Sequence, residues 1–299
     1  MFDLDDLRIF LEVADTGGVT PAARRLGISK SMVSRCVARL EQELGAQLLS
    51  RSTRGASLTE EGSTFREHAL RITGELEAAR DAISPDGDVR GRLRISAPLS
   101  LGPMYLGPVL AELARRHPRL HVHTVYTDRI VDLVTEGFDV AIRAGYLSDS
   151  SLVARRIATI SGKFVASPGY IEEHGAPQRP EDLVNHEALM EGNEPWRFMR
   201  DGKPTSMSVH GRFKGNSGEA LIAAALAGIG IGMEPDYLTD PHIASGALVP
   251  VLTDYPPPEA GLFVLRPPGR LPPRKVRTLI EILIEKFSPA TTAKAAHAS

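Results

Sequence analysis

Only one cysteine, Cys36, occurs in the 299 residues. An internal disulfide and a cysteine-built zinc ribbon are therefore excluded, in keeping with a reducing compartment. Nowhere does an apolar run approach the roughly 18 residues that a membrane span needs, so no membrane role is expected. The start, Met1-Phe2-Asp3-Leu4-Asp5-Asp6, is acidic and lacks the basic opening and apolar core of a secretory signal, which points to the cytoplasm. Also missing are a glycine-rich phosphate loop with its lysine, a nucleophile elbow and a zinc-binding His-Glu-x-x-His. The pattern points to no enzyme, metal or cofactor. Gly228-Ile229-Gly230-Ile231-Gly232 has the wrong spacing for a dinucleotide fingerprint and reads as a helix end followed by a strand.

What is present is length enough for two or three domains, since single cores rarely grow past roughly 250 to 300 residues. The net charge of −2 argues against a nucleic-acid partner until it is resolved along the chain. Arg24, Arg25, Lys30, Arg35, Arg39, Arg51 and Arg54 lie in one stretch that holds only Glu41 and Glu43 as anions. Such a local cationic excess is the footprint of phosphate binding.

The same stretch has helical punctuation. Leu4, Leu7, Phe10, Leu11 and Ala14 recur at helical spacing before Gly17-Gly18. Thr20-Pro21 is expected to restart a helix, Thr as cap and Pro at the first position, with Ala22, Ala23 and Leu26 on its packed face. Gly27 stops it and Ser29 caps the next, so two helices turn sharply. In the second, Val33, Val37, Leu40 and Leu44 form the packed stripe, which leaves Lys30, Ser31, Ser34, Arg35 and Arg39 facing outward, a surface suited to a major groove. Residues 47–50 and 56–59 then flank a short polar tip, expected as a wing whose Arg51 and Arg54 reach phosphates or the minor groove.

The run AARRLGISKSMVSRCVARLEQELGAQLLSRSTRGASLTEEG resembles the winged helix-turn-helix of LysR-type transcriptional regulators. Met32 and Cys36 depart from the usual residues of that motif. The resemblance implies a DNA-contacting set of Thr20, Pro21, Arg24, Arg25, Ser29, Lys30, Ser31, Met32, Ser34, Arg35, Arg39, Arg51, Thr53 and Arg54. It also implies double-stranded operator DNA as partner, with RNA polymerase added for an activator. Cys36 reads as a small filler in preference to a redox switch.

Beyond Thr59, a cap for a first turn holding Glu60 and Glu61, the residues Phe65, Ala69, Ile72, Leu76, Ala79 and Ile83 step by four and three. Dimerisation is favoured over a helix packed only on its own domain, because a helix-turn-helix reads two half-sites as a dimer. Ser84-Pro85-Asp86-Gly87-Asp88 ends the helix as a hinge.

From Gly91 short strands alternate with helices: 93–96, a helix 104–116, 120–126, a helix 129–136, and 140–142. An open, mostly parallel sheet is expected. A second lobe is read from the strands 163–166 and 209–213, the helix 217–227 and the strand 262–265, before a last helix over 274–287. GRLRISAPLSLG, GFDVAIRAG, LVASPGYI, GNSGEALIAAALAGIGI and LVPVL are similar to LysR-type effector domains, which share the two-lobed fold of periplasmic solute-binding proteins.

The expected organisation is thus an all-α winged helix-turn-helix (1–61), a linker helix and hinge (62–90), an α/β two-lobed periplasmic-binding-protein-like domain (91–290) and a disordered tail (291–299). Lobe 1 is read as 91–161 with 266–290, and lobe 2 as 162–265. The family resemblance implies a dimer or dimer of dimers.

A small-molecule effector is expected between the lobes. Ser100, with Leu101 and Gly102, precedes one helix, and Asn216-Ser217, with Glu219, opens another; two such N-termini suit a carboxylate. Asp128, Arg129, Arg143 and Ser167 follow strands, where open sheets present binding loops, and Arg129 or Arg143 can fork onto an acid. The other readings are that Arg129 opens an exposed helix and that Arg143 ties the lobes together. Trp196, the sole tryptophan, can stack on an aromatic effector, though core burial is the commoner fate. His121 and His123 share a strand face but make an incomplete metal site. A cytoplasmic solute-binding protein without a DNA role is the competing reading; it leaves the basic helix-turn-helix unexplained.

Overall fold

The computed structural model describes residues 2–52, 55–83, 87–146, 151–268 and 272–287. Residues 84–86 of the expected hinge 84–88, the tail from 291 onward, and Thr53 and Arg54 of the wing tip lie outside them.

The chain begins with α1 (Leu4–Thr16), opened by a reciprocal cap in which Asp3 accepts from the backbone of Asp5 and Asp6. α2 (Val19–Leu26) and α3 (Lys30–Leu44) follow. α2 starts earlier than Thr20-Pro21 suggests: Gly18 is its cap and no side chain bonds there, so Thr20 and Pro21 sit inside the first turn. Between α2 and α3 the chain turns on Gly27, whose φ of 67° is a left-handed value that a side chain would strain. Ser29 then accepts from Met32 N at 3.2 Å to cap α3. Phe10, Val13, Ala22, Val33, Val37, Leu40 and Leu48 make the core of this domain. The expected stripe is shorter than its spacing suggested, because Leu26 and Leu44 are both exposed at the helix ends.

The wing is the antiparallel pair β1 (Leu49–Ser52) and β2 (Gly55–Leu58). α4 (Glu60–Ile83) follows, with Thr59 Oγ1 accepting from Gly62 N at 2.9 Å. Its first half packs on the DNA-binding domain through Phe65, whose ring meets Phe10 edge-on at 5.2 Å, and the fully buried Ala69.

Lobe 1 is a five-stranded sheet. β3 (Gly91–Ala97), β4 (Leu120–Tyr126) and β5 (Val140–Gly145) run parallel, while β14 (Ala260–Arg266) lies antiparallel to β5 and to β6 (Val153–Ile160). A π-helical turn (Gly102–Leu106) leads into α5 (Gly107–Arg116), which packs with α9 (Arg274–Phe287) over Leu93, Ile95, Ile142 and Val264. The boundary read from sequence needs correction here: 262–265 belong to β14 and therefore to lobe 1, because the strand completes that sheet.

The helix expected over 129–136 is absent. Asp132 accepts from Val134 N and Thr135 N at 3.0 Å each, and these local side-chain bonds hold the segment in turns. Val131 and Leu133 are still buried, so the apolar spacing was real although the helix is not.

Lobe 2 is a second five-stranded sheet built from β7 (Gly162–Ala166), β8 (Ala188–Met190), β11 (Phe213–Lys214), β12 (Ile231–Pro235) and β13 (Val249–Val251), in the order β11-β8-β12-β7-β13. The strand expected over 209–213 is reduced to β11. β7 is antiparallel to β12 and β13, so both sheets are mixed, less parallel than the alternation implied. α6 (Pro168–His174), the hairpin β9 (Trp196–Arg200) with β10 (Lys203–Met207), α7 (Gly218–Leu226) and α8 (Asp236–Ala244) complete the lobe.

An ion cluster joins the two halves of the chain. Asp15, near the end of α1, receives Arg66 of α4 at 3.0 Å and Arg94 of β3 at 2.8 Å, and Arg92 bonds its other oxygen. Arg66 also donates to the carbonyl of Glu136 at 3.0 Å. Beside it, the buried Lys275 of α9 contacts Asp139 at 2.9 Å and Glu77 of α4 at 3.0 Å.

Candidate functional site

Two regions carry chemistry. The first is the outer face of α2 and α3. Arg24, Lys30, Ser31, Met32 and Arg35 are exposed there, and Arg24, Lys30 and Arg35 have no ion-pair partner among the described residues. Thr20, Pro21 and Ser29 are exposed too, and Ser34 is half-buried. Two expected cations are committed elsewhere. Arg25 pairs with Glu12 at 3.0 Å, and Arg39 forks onto Asp6, its Nε donating to Oδ2 at 2.9 Å.

Burial is the largest single influence on the Asp6 carboxyl and raises it, but the Arg39 hydrogen bond, the bonds with the Asp3 backbone and Cys36, and the Arg39 charge together leave the carboxyl below its usual value. Arg39 thus locks α3 against α1 from a position that the spacing placed on the outward face. Arg51 lies on β1, in register with Ala56. Cys36 is buried, and that burial, followed by the hydrogen bond and charge of Asp6, pushes its thiol up, which suits a packed filler and not a thiolate.

The second region is a cleft of about 310 Å³ between the lobes. Of the expected effector residues, Ser100 and Asp128 line it, together with Gly218 at the start of α7. The others have different positions. Leu101 is buried in the lobe 1 core, and Gly102 lies so close to the Tyr126 ring that a Cβ would overlap it. Arg129 is exposed and bonds Glu136 through both terminal nitrogens, at 2.8 and 2.6 Å, in place of a ligand.

Arg143 is half-buried and donates to Ser96 Oγ at 2.8 Å and to the carbonyls of Arg129 and Ile142 at 3.0 and 2.7 Å. These partners all belong to lobe 1, so Arg143 braces one lobe and does not tie the two together. Ser167 caps α6 by accepting from Tyr170 N. Trp196 is 5% exposed and packs 5.3 Å from Phe164 in the lobe 2 core, because β9 turns it inward; it does not reach the cleft. Asn216 is exposed, and Ser217 caps α7 while donating to Glu219 at 2.9 Å. His123 of β4 sits against Arg92 at 3.2 Å.

Sequence reasoning missed the residues that dominate the cleft: Glu191, Glu234, Tyr146 and Tyr237. Tyr237 bridges the lobes. Its hydroxyl meets Ser100 Oγ at 3.0 Å, and its carbonyl accepts from Tyr105 at 2.8 Å. Burial pushes the Tyr237 phenol up to about 12, so it stays protonated and available as a donor. At the rim, Tyr146 donates to the Pro258 carbonyl at 2.5 Å and carries Arg197 of lobe 2 over its ring at 4.7 Å. One signal was available: Glu234 is a lone acid two residues past 228–232, the segment that reads as a helix end and the start of a strand. The expectation of a carboxylate ligand meets a lining that holds no lysine, arginine or histidine among the described residues.

A winged helix-turn-helix on a two-lobed domain with a ligand-sized cleft defines a DNA-binding regulator controlled by a small molecule. Family models bear this out. Residues 4–63 match the bacterial regulatory helix-turn-helix of the lysR family, and residues 86–288 match the LysR substrate binding domain. The chain belongs to the LysR-type transcriptional regulators.

It is 36% identical over 291 residues to the HTH-type transcriptional regulator DmlR of Escherichia coli, covering 95% of this chain and 94% of that one. The solved structure of CrgA, a LysR-type regulator from Neisseria meningitidis, is 30% identical, with a TM-score of 0.59 and coverage of 96% of this chain and all of that one. The full-length virulence activator AphB of Vibrio cholerae is similar at 29% identity and the same TM-score, again over 96% of this chain and all of that one.

Proposed function

We propose that this regulator binds operator DNA with α3 in the major groove, Arg24, Lys30 and Arg35 carrying the contacts, and that a small molecule closing the interlobe cleft alters this binding. The observation that supports it most is the set of three exposed cations on α2 and α3 that no carboxylate neutralises among the described residues, beside others that are neutralised. Unpaired cations on a groove-sized helix gain most from displacing condensed counterions. The protein acts in the cytoplasm as a non-enzymatic dimer or dimer of dimers, with RNA polymerase as partner where it activates; no helix among the described residues is long and apolar enough to cross a membrane. Tyr237 and Ser100, bonded across the cleft, are the contact that a ligand would tighten or replace.

Fluorescence anisotropy on DNA upstream of its own gene, across salt concentrations, tests the DNA arm. Tight, steeply salt-dependent binding that Arg35→Ala weakens is expected. Binding no tighter than to random DNA, or equal binding by the variant, overturns the assignment of α3.

A further inference from the structure

The interlobe cleft is acidic. Asp128 enters from the loop after β4, Glu191 from the loop after β8 and Glu234 from β12, with no cation in the described lining to balance them. Asp128 is partly satisfied, accepting from Leu99 N at 3.1 Å. Glu191 is open to the cleft, yet crowding by protein and then the charge of Asp128 raise its carboxyl.

Glu234 is the decisive group. It is 6% exposed, lines the cleft and has no hydrogen bond or ion pair among the described residues. The groups around it offer no counter-charge. Lys163, its register neighbour on β7, gives its ammonium to Asp240, and the Tyr237 hydroxyl is engaged with Ser100. Glu219 on α7 adds a further negative charge. Even the backbone there makes room for the carboxylate: a Cβ on Gly218 would lie 2.8 Å from the Glu234 oxygen.

A carboxylic group nine-tenths buried with no protein partner costs stability, and a ligand that enters the cleft it faces is one way to complete it. Burial, then repulsion by Glu191 and Glu219, pushes Glu234 up to about 9, so it is neutral in the empty cleft at physiological pH. A carboxylate ligand would meet Asp128 and Glu191 in a lining that holds no cation among the described residues, Arg197 lying at the rim over Tyr146. A metal ion needs a tight cluster of ligands, and no three acidic, histidine or cysteine side chains among the described residues form one. The walls between the acids are apolar, including Ile160, Met233 and Pro257.

Resting on the reading of this cleft as the effector site, we propose that the effector is a small organic cation, an alkylammonium or guanidinium. Its charged end is received by Glu234, Glu191 and Asp128, and its aliphatic part lies on Ile160, Met233 and Pro257. Binding ionises Glu234: the ligand arrives charged, the carboxylic acid gives its proton to the buffer, and the carboxylate pairs with the ligand.

Isothermal titration of the full-length protein tests this with butylamine, agmatine and arginine, against succinate and benzoate, in phosphate and in HEPES buffer, and against calcium chloride in HEPES alone. At least one of the three amines is expected to bind, with a heat that differs between buffers because a proton is released. Glu234→Gln is expected to weaken that amine at least tenfold. Glu191→Gln, at the open mouth, is expected to weaken it less and serves if the first variant does not fold.

Binding of an acid or calcium but none of the amines overturns the proposal and leaves the cleft as a ligand site. Amine binding that neither variant changes, or no binding by any of the three amines, also overturns it. Operator anisotropy with the bound amine separates the two claims: amine binding that leaves operator affinity unchanged keeps the cation site and overturns its role as effector site.

Discussion

Arg35 and Arg39 are one helical turn apart on α3 and read alike, yet only one has a carboxylate partner. Their variants should therefore fail differently. Arg35→Ala is expected to weaken operator binding and lower the salt slope by about 0.9 for one phosphate lost, with an unchanged melting midpoint. Arg39→Ala should instead lower the melting midpoint, because the buried Asp6 loses its fork, while the salt slope stays near that of wild type. Melting curves and anisotropy on the same samples check both.

Asp6 also sets an acid dependence. Its folded carboxyl lies below the ordinary value, so its contribution is full above that ordinary value and is lost as pH falls through the folded one. The gap in melting midpoint between wild type and Asp6→Asn should accordingly be widest near neutrality and close as pH falls below the ordinary carboxylate value. A gap that stays constant with pH would sink this account.

The elements divide by how they bury their apolar stripes. α3 is held by Val33, Val37 and Leu40, the last with no exposure, and Leu40→Ala is expected to cost about 2–5 kcal/mol in a denaturant titration. The seam of α4 is fully buried only in its first half, although Glu77 further along pairs with Lys275. Phe65 and Ala69 pack inward, whereas Ile72 is 47% exposed and Ile83 is 83% exposed on the same heptad seam. An apolar stripe left in water is the pattern of a helix awaiting a partner. Ile72→Glu should turn the dimer into a monomer by light scattering while leaving the melting of the DNA-binding core near that of wild type. A variant that remains dimeric would place the dimer contact elsewhere.

Across the whole molecule, the Asp15 cluster is where the DNA-binding domain, the linker helix and lobe 1 meet. The Asp15 and Arg66 side chains are only 9% and 8% exposed, and Arg92 and Arg94 complete the group. Removing the shared carboxylate leaves three guanidiniums crowded together, a loss of about 3–5 kcal/mol for a buried partner. Asp15→Ala is therefore expected to free the winged domain from lobe 1, with faster hydrogen exchange over α1 and a larger radius of gyration in solution scattering. An unchanged radius and unchanged exchange would show that apolar packing alone holds the domains together.

Periodicity and punctuation in the sequence determined the helix-turn-helix, its wing, the linker helix and the last helix, because these depend on local spacing, caps and glycines. They also placed Ser100 and Asp128 beside the cleft. Tertiary structure decided what local spacing cannot carry. Asp6 lies 33 residues from Arg39 and takes it out of the phosphate-binding set. Strand β14 crosses back to lobe 1 to complete its sheet, and β9 turns Trp196 into the core. The charge of the cleft was hidden for the same reason. Asp128, Glu191 and Glu234 come from three separate segments, and only the stacking of the two lobes brings them around one cavity.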